Sequence, residues 1–464
     1  MKTESMKSDE VKKILHKTVR HFFPELGTWI NEMNDPRNEN STTYPLEQML
    51  WQGLLLFLLK LGARRQLNVV FDTEEALSNL GVLCGRDVDT AAHDSTLGYL
   101  AERLGPDQLG RLRHRMMRGL LRKKCLARYR VLGHYLVVLD GTWYVSFNKP
   151  HCEHCLRMRV STRDRENGGK TGRKRKKSTK SKKTVVYYHA VVEAKLVTAN
   201  GMALSLGTEF LENPGRDVDV QDCELRAAYR LMKRLKNDFP RLAICLGLDA
   251  LYANETVFDL CKEHRWKYVI TFKQGSMPET WNEYVSLQQL QKDNTGEWTD
   301  GEVRQQYRWV TDIGFRGPCF NVLQCDEYKP GKDREDKHTP FVWVTNFDIG
   351  RHNYRAVARA GRLRWKIENE GFNMQKTGGY NLQHPYGMHP VALQNYYLVL
   401  QIAHLISQLM EKGDLLRTDV KRLCGSLRNF ALLLLISLRT TTFDREELAA
   451  LESLRFQIRL RDPD

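Results

Sequence analysis

The chain has 464 residues, with 72 Lys plus Arg against 56 Asp plus Glu, a formal net charge of +16. Its length corresponds to about three units of ~150 residues, and 41% hydrophobic with 9% aromatic residues excludes a disordered chain or a small disulfide scaffold. The basic excess points to a polyanionic partner, most often nucleic acid.

The charge is uneven. Arg157 to Lys183 holds 13 Lys/Arg against two acids, Asp164 and Glu166, a net +11, and the other 437 residues carry only +5. The opening MKTESMKSDE has no apolar core of a signal peptide. The run Leu54 to Leu59 is far short of the ~20 residues of a membrane-spanning helix. Eight of the ten cysteines are scattered without short spacings, which points to a reducing, intracellular compartment and no membrane.

Residues 1–130 read as helical. Leu46, Met49, Leu50 and Gly53 through Leu59 have helical spacing. Asp94 and Ser95 form a capping pair before Leu97, Leu100 and Leu104, followed by Leu109, Leu112, Met116, Leu120 and Leu121. Arginines interleave with the second stripe, so the region is either a DNA-binding module or a packed helical cap with a solvated face.

The texture then changes. Tyr135 to Leu139 is a short apolar β run ending at Asp140-Gly-Thr. Val185–Val197 and Met202–Phe210, separated by Asn200-Gly201, predict a β-hairpin. An amphipathic helix follows over Asp219–Lys236, then a strand Leu242–Leu248 ending at Asp249, a helix near Glu255–His264 and a strand Tyr268–Phe272. Between residues 274 and 340 the strand-like runs Val303–Thr311 and Cys319–Cys325 predict a β-rich insertion. Its Trp281, Trp298, Tyr307 and Trp309 are either base-stacking groups or, as is commoner in short sheets, core. Phe341–Thr345 returns to a strand, His352 to about Lys376 reads as a helix, and Val391–Met410 with Leu427–Leu438 end the chain in helices.

Asp140 and Asp249 both follow apolar strands, and in an α/β sheet such positions face the crevice where ligands bind. Two nearby carboxylates repel unless a cation lies between them. Hard oxygen donors suit Mg²⁺, and paired ions suit in-line phosphoryl displacement; the ordinary alternative is two turn-forming or capping aspartates. The segment GRLRWKIENEGFNMQK offers further acids: Arg364 and Glu368 lie at i, i+4 on one helical face, whereas Glu370 pairs at i, i+4 with Lys366.

LDGTWYVSF, GLDALYANETVFDLCKEHRWKYVITFKQGS and GRLRWKIENEGFNMQKTGGYNLQH, in that order, resemble the three catalytic blocks of bacterial insertion-sequence DDE transposases, within them the insertion-sequence-four-like group. The similarity covers roughly residues 90 to 400. In that family the last block runs tyrosine, two residues, arginine, three residues, glutamate, six residues, lysine. Arg364 and Glu368 match, Gly361 stands at the tyrosine position, and Gln375 stands at the lysine position with Lys376 next to it.

The resemblance implies an α/β fold: an RNase-H-like mixed-sheet core with a β-rich insertion, flanked by helical N- and C-terminal regions. The implied divisions are 1–130 (helical, a DNA-binding candidate), 131–273 (first part of the core, with a Lys-rich loop 157–183), 274–340 (insertion), 341–390 (second part of the core) and 391–464 (helical, a dimerisation candidate). It implies that Asp140, Asp249 and Glu368 hold two Mg²⁺, or Mn²⁺, with Arg364 and Lys376 on DNA phosphate and Glu370 in reserve as the third acid. The implied activity is cleavage at transposon ends and transfer of 3′-OH ends into target DNA. The partners would be double-stranded terminal repeats and target DNA, the assembly a synaptic homodimer, and the location the bacterial cytoplasm, at the nucleoid. The alternatives are a metal-dependent nuclease without strand transfer and a DNA-binding derivative without catalysis.

Two features stand apart. His151-Cys152-Glu153-His154-Cys155 contains half a structural zinc site, with no second Cys pair at finger spacing, so a loop with free thiols is expected rather than zinc. Within the basic segment, Arg173, Lys174, Arg175, Lys176, Lys177, Lys180, Lys182 and Lys183 are too charged to pack and are expected to lie along DNA phosphates.

Overall fold

The computed structural model describes residues 8–161, 183–216, 218–314, 319–331, 337–416, 418–453 and 456–462. Seven helices open the chain: α1 Ser8–Phe22, α2 Leu26–Asn31, α3 Leu46–Leu58, α4 Gln66–Val70, α5 Glu74–Cys84, α6 Asp94–Arg103 and α7 Pro106–Arg122. The stripe that spans the last two is broken at Gly105-Pro106, where proline starts α7 as its first residue.

A ten-stranded mixed sheet follows. Its strands are β1 Tyr135–Phe147, β2 Leu156–Ser161, β3 Lys183–Val197, β4 Ala203–Leu211, β5 Ile244–Leu248, β6 Lys267–Thr271, β7 Thr295–Asp300, β8 Val303–Gly314, β9 Cys319–Lys329 and β10 Lys337–Thr345. The order is β2-β3-β1-β5-β6-β10-β9-β8-β7, with β4 also on β3. β1, β5 and β6 are parallel to one another, and the remaining pairs are antiparallel.

Two expectations for the sheet need correcting. β1 does not stop at Asp140: it continues to Phe147 because β3 pairs with it from Leu196 back to Tyr187. Residues 157–161, read as the start of a basic loop, belong to β2. The stretch 274–340, expected to be β-rich, holds β7, β8 and β9, which extend the central sheet through β10, together with a helix, Pro278–Leu290.

After β4 comes α8, Glu224–Asp238, and between β5 and β6 comes α9, Glu255–His264; the helix Pro278–Leu290 is α10. α11 spans Tyr354–Leu363, a π-helical turn spans Ile367–Asn373, and α12 spans Met374–Thr377. The single regular helix expected over His352–Lys376 is therefore interrupted. α13 (Pro390–Lys412), α14 (Val420–Cys424), α15 (Leu427–Thr440) and α16 (Arg445–Ser453) close the described chain.

The terminal regions pack together. α13 lies against α3, α6 and α7, and α1 lies against α15. At the last contact the buried Lys12 donates through Nζ to the Thr442 carbonyl at 2.9 Å. None of the described helices is long and apolar enough to cross a membrane.

β1 shows how the two faces of the sheet diverge, since side chains alternate along a strand. Val137 and Leu139 belong to the large core shared with α8 and the terminal helices. Leu136 and Val138 enter a smaller core with Val357 of α11 and with Ile367 and Phe372 of the π-helical turn.

Candidate active site

Strand register brings the two aspartates together. In the parallel pair β1/β5, Val138 is opposite Gly247. Two residues on, Asp140 and Asp249 reach the same level, on strands that lie about 4.8 Å apart. By the same alternation Asp140 shares the Leu136/Val138 face, which the π-helical turn covers. Gly247 keeps this face open: a Cβ there would lie 3.2 Å from Val138 Cγ2 and 3.9 Å from Arg364 Cβ.

Arg364 is buried, and its Nη2 is 3.9 Å from Asp249 Oδ1. Its guanidinium also lies 4.7 Å from the ring centre of the exposed Trp365. Glu368, half-buried at the start of the π-helical turn, faces Asp140 closely enough to act on its charge. π-helical turns inside helices occur frequently at functional sites.

Asp140 carries the electrostatic signature. Its pKa is pushed up to about 6, first by burial, then by the Glu224 carboxylate, with Glu368 adding to the rise and Arg364 opposing it. Glu224 is a fourth acid that the sequence reading missed. It occupies the first turn of α8 and accepts a hydrogen bond from the fully buried Tyr252 hydroxyl at 2.8 Å. It also crowds Gly141, where a Cβ would come within 2.4 Å of its Oε2. Glycine beside Asp140 therefore admits the extra carboxylate. Its only sequence signal was an acidic residue opening a helix.

The other predicted residues separate. Glu370 pairs with Lys366 at 2.9 Å and lies near Lys412 and the Gly201 turn. Lys376 is half-buried with Nζ 5.7 Å from the Phe372 ring centre. Gln375, at the family's lysine position, is fully buried and donates to Gln401 Oε1 at 2.9 Å, a core role. At the tyrosine position, Gly361 makes room for Trp343, whose indole atoms would lie 2.4 Å from a Cβ there.

Arg173, Lys174, Arg175, Lys176, Lys177, Lys180 and Lys182 lie outside the described residues; Lys183 opens β3. In the 274–340 stretch, Tyr307 and Trp309 are buried against Tyr354, and Trp281 packs on Phe272. Trp298 is exposed, with the Arg355 guanidinium 3.2 Å from its ring centre.

The acids have the right donor type for a hard divalent cation. As placed, however, they do not gather around one point: among the described residues, the group of three or more His, Cys, Asp or Glu donors lying within 4.8 Å of one another is His151, Cys152, Cys155 and His189. Asp140 is thus the centre of an acidic cluster with Asp249 beside it in register and Glu368 and Glu224 acting on its charge.

No family model and no curated protein matches the chain. Among solved structures it is similar to a piggyBac transposase synaptic complex with hairpin DNA, at 10% identity over 97% of this chain and 86% of that one, with a TM-score of 0.34. Likeness at that level carries no weight for fold or function, which rest on the geometry above.

Proposed function

We propose that the chain is a metal-dependent DNA transposase of the DDE type, with Asp140, Asp249 and Glu368 as its metal-holding acids. The observation that carries the reading is the placement of these acids on one face of the sheet around a buried arginine. β1/β5 register sets Asp140 beside Asp249, and the segment from Arg364, at the end of α11, to Glu368, in the π-helical turn, lies over the same face. A buried carboxylate with an elevated pKa and like-charged neighbours favours a cation as its counter-charge. The strand order β4-β3-β1-β5-β6, with β1, β5 and β6 parallel, supports an RNase-H-like core.

Magnesium, when bound, supplies Lewis acidity toward the attacking water or 3′-OH and toward the leaving oxygen. The chain's own groups do the rest. Asp140 must lose its proton to act as a ligand, so cation binding and deprotonation are linked. Arg364 sits against Asp249 and offers the scissile phosphate a planar, charge-assisted donor. Tyr252 fixes Glu224, which keeps negative charge next to Asp140. The basic run between β2 and β3 supplies sequence-independent attraction to phosphates, and double-stranded DNA is the substrate.

The test combines purified protein, Mg²⁺ and DNA carrying any inverted repeats that flank the gene. Nicking that is lost in Asp140→Ala and Asp249→Ala supports the reading, and nicking that survives either change defeats it. Joining of the freed 3′ ends to target DNA distinguishes a transposase from a nuclease on the same core.

A further inference from the structure

The Cys/His segment acquires its missing half from a strand. The loop between β1 and β2 carries His151, Cys152 and Cys155, and it folds over β3 at His189, which is 2% exposed and pairs with Val145 of β1. Cys152 Sγ and Cys155 Sγ lie 3.6 Å apart, and His189 Nε2 is 3.5 Å from each. A tetrahedral Zn²⁺ with ordinary Zn–S and Zn–N bonds separates two sulfurs by about 3.8 Å and a sulfur from a nitrogen by about 3.5 Å. The three donors already stand at those separations.

The fourth position belongs to His151. Its Nδ1 is buried without a hydrogen-bond partner, its ring lies near the Met388 backbone, and it stacks on Phe147 at 4.3 Å. All four donor atoms lie within 4.8 Å of one another. The backbone N–H of Cys152 points to Cys155 Sγ at 3.3 Å. His154, nearer in sequence to Cys155 than His189 is, turns away: its Nδ1 lies 2.9 Å from the Asn213 carbonyl. The sulfurs are too far apart for a disulfide, which needs about 2.05 Å, and both thiols are free.

We propose that His151, Cys152, Cys155 and His189 form a structural Zn²⁺ site. Two thiolates and two imidazoles are the donor set that selects zinc over the hard cations suited to the acids. Four protein ligands close the coordination shell, so the ion staples rather than reacts. It ties the β1–β2 loop to β3, and the strands β2 and β3 flank the basic run. The inference does not rest on the transposase reading, because its test measures metal and not activity.

The experiment takes the full-length protein purified without chelator and measures metal by mass spectrometry. About one zinc per chain is expected, lost in Cys152→Ser and His189→Ala and kept in His154→Ala and Asp140→Asn. Because the ligand variants are liable to misfold, wild-type protein stripped of metal and titrated with Co²⁺ provides a second measurement. Thiolate-to-cobalt absorption with tetrahedral visible bands, abolished by one equivalent of Zn²⁺, supports the site. Wild-type protein that holds no zinc after exposure to it or gives only octahedral cobalt bands, or a variant lacking the Cys152 and Cys155 thiols that still keeps zinc, overturns it.

Discussion

Two donor clusters stand a few residues apart on the β1/β3 pair and are built on opposite terms. Around Asp140 the donors are carboxylates on four separate pieces of chain, repelling one another and not converging on a single point. Around His189 the donors are thiols and imidazoles, three of the four on one short loop, with both thiols and His189 already at ligand separation before any ion is considered. A site that must admit a phosphate and release a product keeps open positions, whereas a site that only holds chain together closes its shell. The lesson is that preorganisation alone does not mark the place of chemistry. Here the tighter cluster is the structural one, and the strained, charged one is the candidate for catalysis.

The largest break between the two comes from removing donors. Asp140→Asn, Asp249→Asn or Glu368→Gln should each reduce Mg²⁺-dependent strand cleavage by ~10³-fold or more, the equivalent of ~4 kcal/mol in the barrier, while leaving bound zinc unchanged. Single-turnover cleavage with metal analysis on the same samples checks both halves. Loss of zinc in an acid variant would merge the two clusters into one folding unit.

Chelation should act in the other direction on stability. If zinc is held at about a thousandfold its Kd, removing it forfeits ~4 kcal/mol, so a strong chelator should lower Tm, and Zn²⁺ but not Mg²⁺ should restore it. At Asp140 the sign reverses. Its pKa is raised from 3.8 to about 6 in the fold, so its contribution to stability is full below the unfolded value and is lost as pH rises through 6. Above that range the metal-free carboxylate costs the fold ~3 kcal/mol. Asp140→Asn should therefore raise the Tm of Mg²⁺-free protein at pH 8, with the gain fading below pH 4. Thermal unfolding across that range decides it, and a Tm that falls at pH 8 would remove the charge-crowding account of this site.

The basic run sharpens the contrast by adding charge without donors. Neutralising the eight Lys/Arg from Arg173 to Lys183 should weaken DNA binding by ~10²-fold at low salt and flatten its salt dependence. Zinc content and Tm should stay as they are. Binding isotherms at several salt concentrations give the slope, and an unchanged slope would make the run a solvated connection.

Legibility from the sequence differed between these regions for physical reasons. The hairpin at Asn200-Gly201 stood out because turn chemistry and alternation agree there, and β3 and β4 do pair across it. The C-terminal half of β1 was hidden because Asp140-Gly141-Thr142 looks like a strand end; only its partner's register shows that it continues. β7 is exposed at nearly every position and has no apolar alternation to read. Asp140 and Asp249 were visible as acids after apolar runs. Their side-by-side placement follows from the register of β1 with β5, which no local pattern encodes. His189 lies 34 residues from Cys155 inside an apolar strand, so motif spacing had no means of joining them. Glu224 carried no pattern beyond a helix start, and the π-helical turn left no mark in composition.

The smallest expected effect tests the choice of third acid. On a regular helix Glu368 and Glu370 would point about 200° apart, and the π-helical turn changes that angle without bringing Glu370 to Asp140. Glu370 instead forms an ion pair with Lys366, each side chain about 30% exposed. Pairs of this kind contribute ~0.3–0.5 kcal/mol. Glu370→Gln should thus shift stability by less than ~0.5 kcal/mol and leave cleavage within about twofold of wild type, whereas Glu368→Gln removes a carboxylate that acts directly on Asp140. If the two variants exchange behaviour in the same cleavage assay, the π-helical turn rotates in the DNA-bound protein.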